Sequence, residues 1–200
     1  MNSVAISSKE RSDVGTKYAN LYRRAGGIPA VIYGSGDPQH ILVDLSEVRH
    51  LIYTPEFKLA EITVGGSKIK TLVKDVQYHP TSDEILHIDF LTITEGTPVK
   101  IEVPVKFIGT SPGVKAGGKL IQQIRKLKIK TTPDKLIDEI TVDISHLELG
   151  QVLRVKSVPM TEGIEILVNT STPIAYIEIP RALKSAAAAD AKAKAGGKKK

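Results

Sequence analysis

Two hundred residues with 41% hydrophobic content suffice for one or two packed domains, and no run approaches the ~20 consecutive apolar residues of a membrane-crossing helix. The absence of cysteine excludes a disulfide framework, a thiolate metal site and a cysteine nucleophile. The net charge of +6 is unevenly spread: residues 1–95 hold 10 Lys and Arg against 12 Asp and Glu, residues 96–180 hold 11 against 9, and residues 181–200 hold 7 against 1, so the body of the chain is neutral and any polyanion site must rest on local clusters. Two such clusters stand out, one of Lys9, Arg11, Lys17, Arg23 and Arg24, the other of Lys115, Lys119, Arg125, Lys126, Lys128 and Lys130 with no acid between them.

In chain order, Val4 to Ser8 reads as a strand, followed by a polar link from Lys9 to Gly15. Tyr18, Leu21, Tyr22 and Ala25 recur at helical spacing, with Gly26-Gly27 as the stop; Tyr18 and Tyr22 are expected to pack on the apolar face of that helix rather than to stack on bases. Ile28 to Tyr33 reads as a strand with Pro29 at its start, and Gly34 to Pro38 as a turn. Asp44 followed by Glu47 signals a second helix with a reciprocal cap, ending near Thr54-Pro55. Leu59 to Val64 and Ile69 to Tyr78 flank Gly65-Gly66-Ser67 and predict a hairpin; a further strand runs from Ile85 to Ile93.

Beyond Thr94-Glu-Gly-Thr-Pro98 the texture changes, which places a domain boundary between 1–95 and 96–180. Val99, Ile101, Val103, Val105 and Phe107 alternate with polar residues at the period of a half-buried strand. Strand-like runs follow at Leu120–Lys130, Ile137–Ile144, Val152–Val155, Ile164–Val168 and Pro173–Ile179, as in an all-β sandwich or barrel; Ser111 to Gly118 reads as a flexible loop. From Arg181 the composition collapses to Ala, Lys and Gly, which predicts a disordered basic tail that either solubilises the chain or touches a polyanion. The fold class is therefore mainly β, a β-rich α+β chain with two or three short helices in its first domain.

Catalytic constellations are thin. Phosphate-loop, dinucleotide and nucleophile-elbow motifs are absent. His79, His87 and Asp89 form the best metal-like group, but their spacing is unlike a helical ligand pair and a non-metal role is favoured. Gly109, Gly113, Gly117 and Gly118 read as turn residues rather than a phosphate cradle, and Asp143-Ile-Ser-His146 as a strand end with a solvated histidine. The start, Met1-Asn-Ser-Val-Ala-Ile, lacks a secretory signal pattern, so a cytoplasmic, non-enzymatic protein with no cofactor, no membrane association and no small-molecule substrate is expected.

Arg23-Arg24-Ala-Gly-Gly-Ile-Pro-Ala-Val-Ile-Tyr-Gly34, Asp75-Val-Gln-Tyr-His-Pro80 and His87-Ile-Asp-Phe90 together resemble the L-twenty-five family of bacterial large-subunit ribosomal proteins. Val103-Pro-Val-Lys-Phe-Ile-Gly109, Gly113-Val-Lys-Ala-Gly-Gly118 and Asp143-Ile-Ser-His-Leu147 resemble the second domain of its longer form, the general stress protein CTC, so the similarity spans residues 3 to 180. The resemblance implies an N-terminal β-barrel that docks on 5S ribosomal RNA around loop E, within the ribosome and among other large-subunit components. The residues it carries over as RNA-binding are Arg11, Lys17, Arg23, Tyr33, Gln77, His79, His87 and Asp89; Arg24 is added on charge alone. Asn20 and Leu21 stand where short family members carry arginines. Two other readings compete: a protein-interaction module centred on the second domain, and a metal-dependent hydrolase resting on His79, His87 and Asp89.

Overall fold

The computed structural model describes residues 3–159 and 163–180; the tail expected to be disordered, residues 181–200, lies outside the described residues. Among the described residues, packing divides the chain into two compact units, one of residues 3–104, 128–139 and 163–165, the other of residues 105–127, 140–159 and 166–180.

The first unit contains β1 (Ser3–Glu10), α1 (Thr16–Arg24), β2 (Gly27–Tyr33), β3 (Gln39–Asp44), α2 (Leu45–Ile52), β4 (Leu59–Val64), β5 (Ser67–Tyr78) and β6 (Ile85–Thr92). Its strands close into a barrel in the order β1-β3-β2-β6-β5-β4. Two pairings are parallel, β1 with β4 and β2 with β6, and the rest are antiparallel. Alternation sends Ile6, Ile28, Ala30, Ile32, Ile41, Val43, Ile62, Ile88 and Phe90 inward, where they form one core with Val48 and Leu51 of α2. At ~25 cal/mol per Å² of buried apolar area, this interior is the main stabilising term of the unit. The β4–β5 hairpin turns on Gly65 and Gly66, both at positive φ (55° and 90°), the two-residue geometry whose twist matches the flanking strands.

Strand β3 has no counterpart in the sequence reading, which passes from the Gly34–Pro38 turn directly to the second helix. Only Ile41 and Val43 carry its period-two signal, too short a pattern to stand out. The reciprocal cap expected at α2 is also corrected. Asp44 makes no side-chain capping bond. Glu47 turns away from the helix end, and its Oε2 accepts from the backbone N–H of Ser7 at 2.7 Å, tying α2 to β1. That N–H lies where β1 changes partner, from β4 at Ser7 to β3 at Ser8, a point at which the ladder leaves a donor to be satisfied.

The remaining elements are β7 (Val99–Ile108), α3 (Pro112–Lys115), β8 (Lys119–Gln122), β9 (Lys126–Thr131), β10 (Ile140–Asp143), β11 (Val152–Arg154), β12 (Ile164–Ile166) and β13 (Pro173–Glu178). They form a four-stranded sheet, β10-β7-β9-β12, and a three-stranded sheet, β11-β13-β8. The alternation in β7 holds, with Val99, Ile101, Val103 and Val105 buried. The single run expected at Leu120–Lys130 is two strands broken at 123–125, and the run at Ile137–Ile144 shortens to Ile140–Asp143.

The flexible loop expected at Ser111–Gly118 is instead an ordered helical turn. The buried Ser111 hydroxyl accepts from the N–H groups of Gly113 (3.1 Å) and Val114 (3.4 Å) and donates to the Leu147 carbonyl. Gly113 is there because of space: a Cβ would lie 2.7 Å from the Glu148 carbonyl carbon and 2.8 Å from the Leu149 nitrogen, both backbone atoms that cannot step aside.

Two stability measurements follow from these contacts. In urea unfolding, Glu47→Ala is expected to cost about 1 kcal/mol, whereas Asp44→Ala, which breaks no side-chain cap, costs clearly less; a reciprocal cap would make the two similar. Gly113→Ala is expected to destabilise by about 1–3 kcal/mol because the added methyl forces backbone apart.

Candidate nucleic-acid interface

The same alternation that fills the barrel interior lines up its exterior. In the parallel β2–β6 ladder Val31 lies opposite Asp89, and Tyr33 opposite Leu91. Across β6, Asp75 of β5 is opposite Asp89, and Gln77 is opposite His87. A register shift between Val73 and Asp75 leaves Lys74 as an extra residue and keeps Asp75 and Gln77 on the outer side. Four residues singled out in the sequence, Tyr33, Gln77, His87 and Asp89, therefore share one outward face built from three strands. Asp75 joins them and was missed, although it opens the motif that contains Gln77.

Hydrogen bonds fix what this face offers. His87 Nδ1 lies 2.7 Å from Asp89 Oδ1. An ionised carboxylate can only accept, so Nδ1 carries the proton and the Nε2 of neutral His87 is left as an acceptor. His79 has the opposite polarity. Its Nδ1 accepts from the N–H groups of Thr81 (3.4 Å) and Ser82 (3.3 Å), which leaves Nε2–H to donate outward. Its backbone closes the β5–β6 turn, with His79 N–H bonded to Glu84 O at 2.8 Å. His79 is thus held in its own turn while His87 and Asp89 pair with each other. Tyr33 is half-buried, and burial, then the Asp89 and Asp75 carboxylates, raise its phenol above the ordinary tyrosine value. Asp143, the other acid considered for chemistry, is held below the usual carboxylate range by hydrogen bonds from Ser145; it orders its own turn.

Helix α1 supplies the cations. No residue of α1 is buried, which corrects the expectation that Tyr18 and Tyr22 pack on an apolar face: Tyr18 is 42% exposed, and Tyr22 lies beneath the Arg11 guanidinium, 5.9 Å from ring centroid to Cζ. Arg11 Nε and Nη1 are enclosed with no hydrogen-bond partner among the described residues, so Arg11 contributes stacking and enclosed charge rather than a freely presented fork. Arg23 is a brace as well as a cation. Its Nε donates to Leu86 O of β6 at 3.1 Å and its Nη1 to Asn20 Oδ1 at 3.1 Å, so Asn20, one of the departures from the arginine run, orients a neighbouring arginine. Lys17 and Arg24 are exposed at the two ends of α1. The second basic cluster is partly compensated: Lys128 pairs with Glu102 at 3.5 Å and Lys130 with Glu165 at 3.4 Å.

Comparison with known proteins gives this surface its context. The model of the Ribosomal L25p family matches residues 6–90, and that of the Ribosomal protein TL5, C-terminal domain, matches residues 98–181. The chain belongs to the ribosomal L25p family. Large ribosomal subunit protein bL25 of Bacteroides thetaiotaomicron is 38% identical over 183 residues, covering 92% of this chain and 93% of the relative. The bL25 proteins of Parabacteroides distasonis (40% identical; 83% of this chain, 85% of the relative) and Cytophaga hutchinsonii (38%; 96% and 100%) are similar over comparable lengths. As an L25p ribosomal protein with the TL5-type second part, the chain is a structural component of the ribosome and not an enzyme.

The raised Tyr33 phenol has a pH consequence in this L25p barrel. Its folded pKa lies above the unfolded value near 10, so the native state holds the proton longer and stability falls as pH rises from about 10 through the folded pKa. Thermal unfolding between pH 9 and 11 is expected to show a shallower alkaline loss for Tyr33→Phe than for the unmodified chain.

Proposed function

We propose that the chain binds 5S ribosomal RNA around its loop E as a structural constituent of the large ribosomal subunit, among other subunit components, using residues 1–95 as the RNA-binding domain, with residues 96–180 as a second domain. The observation that carries this reading is the convergence of Tyr33, Gln77, His87 and Asp89 on one outer face of β2, β6 and β5, beside a helix that exposes Lys17 and Arg24. RNA presents 2′-hydroxyls and base edges in a wide, shallow minor groove, a shape that a sheet face can approach where an inserted helix cannot. The face suits such a target because it mixes polarities. Gln77 offers a donor and an acceptor, His79 a donor, His87 an acceptor, and Asp89 a carboxylate that rejects phosphates but accepts from a base amino group or a 2′-hydroxyl.

Division of labour follows from the chemistry. Phosphate contacts from Lys17, Arg24 and the free part of Arg23 supply salt-dependent affinity, while the polar face supplies register. Arg11 fits a positioning role, holding α1 through Tyr22.

Titration of the full chain with 5S ribosomal RNA and with a loop E hairpin, in magnesium and across a salt series, tests the reading. Both RNAs are expected to bind saturably and in preference to an unrelated hairpin. Lys17→Ala is expected to lower the salt slope by about 1 with a modest affinity loss, and Gln77→Ala to weaken binding about tenfold with the slope unchanged. Binding with no preference over the unrelated hairpin would refute it.

A further inference from the structure

Helix α1 has two unlike sides. Ala19, Tyr22 and Arg23 are half-buried, and that side includes the Arg23 bond to Leu86 O and the Tyr22 ring beneath Arg11. Lys17, Tyr18, Leu21 and Arg24 are exposed. At 3.6 residues per turn, positions 17, 21 and 24 stand one above another on the helix surface, and 18 lies beside 21 at the same next-turn spacing. Leu21 therefore occupies the centre of the outer face, with Lys17 and Arg24 on either side of it along the helix and Tyr18 against its flank.

A lone exposed leucine is ordinary, but a cluster is not. Leu21 is 59% exposed and Tyr18 42%, and Val14, just before the helix, is 54% exposed, so three of the ten large apolar side chains exposed among the described residues fall within eight positions. Charge indicates what covers them. Thr16–Arg24 holds three cations and no acid, and neither Lys17 nor Arg24 pairs with a carboxylate among the described residues. Covering this face with apolar protein surface would strip water from two uncompensated charges. A nucleic acid neutralises both with its phosphates and offers sugar and base surface between them. The face also adjoins the polar strand face, since the helix is bonded through Arg23 to Leu86, the residue before His87.

We infer that Tyr18 and Leu21 lie against ribose and base surfaces of the RNA bound by the strand face, between the phosphates met by Lys17 and Arg24. This rests on the RNA-binding reading above and adds an apolar contact to it. Burial of the two side chains contributes affinity that salt does not screen, whereas a cation at either position would add a salt-dependent phosphate contact.

The test compares the full chain with Tyr18→Ala/Leu21→Ala in binding 5S ribosomal RNA across a salt series. Alanine keeps the helix propensity high and both side chains are exposed, so circular dichroism and thermal unfolding are expected to be unchanged. The variant is expected to bind about tenfold more weakly with the same salt slope. In the complex of the parent chain with a loop E hairpin, Leu21 methyl protons are expected to show nuclear Overhauser contacts to ribose or base protons. Equal affinity of variant and parent overturns the inference while leaving the RNA-binding reading intact, and a variant that binds RNA normally yet is lost from assembled subunits assigns the pair to a protein neighbour instead. A loss accompanied by a lower salt slope also overturns it, because the effect would then run through Lys17 and Arg24. No specific binding by the parent overturns both readings.

Discussion

The parallel pairing of β2 with β6 is the constraint on which the rest of the first unit depends. It joins segments more than fifty residues apart in sequence and sets Ala30 against Ile88 inside the barrel and Val31 against Asp89 outside it. With the register fixed, the fully buried Ala30, Ile88 and Phe90 commit the inner face to the core, and the pleat leaves Tyr33, His87 and Asp89 no direction but outward. A slip of one residue would exchange the two faces, burying a carboxylate and exposing the core. Fold stability and interface geometry are therefore set by the same ladder.

The candidate interface is electrostatically mixed. Its strand face includes Asp75 and Asp89 near Tyr33, while the cations sit on α1, which lacks a buried residue and is tied to the barrel by the Arg23 bond to Leu86 and by the packing of Arg11 on Tyr22. A uniformly basic surface would bind any polyanion. Acceptors set beside cations penalise a phosphate placed over the strands and favour a groove edge there, so on the proposed reading discrimination comes from where charge is absent as well as from where it is present.

Local signals were legible in the sequence and long-range ones were not. The Gly65-Gly66 hairpin and the alternation of β7 depend on neighbours within a few residues, and both stand as read. Strand β3 was missed because two inward residues make too short a period, and the ordered turn at Ser111 because its stability comes from the Leu147 carbonyl, thirty-six residues away. Asp44 and Glu47 show the same competition: the local pattern fits a reciprocal cap, but Ser7 offers a donor that only the folded barrel brings near. Composition and periodicity did not indicate a closed barrel, since closure requires the two parallel pairings; resemblance to a family supplied that expectation. The site residues were likewise recognised through motifs, and what the motifs lacked were the roles: Arg23 bracing β6, Asn20 holding Arg23, and Asp75 beside Asp89.

On the proposed reading, RNA recognition resides on the outer face of β2, β6 and β5 together with α1. Amide chemical-shift mapping of the full chain on addition of a loop E hairpin tests it most directly. The largest shifts are expected at Tyr33, Gln77, His87, Asp89 and along Thr16–Arg24. Shifts confined to residues beyond 96, with that face silent, would contradict it.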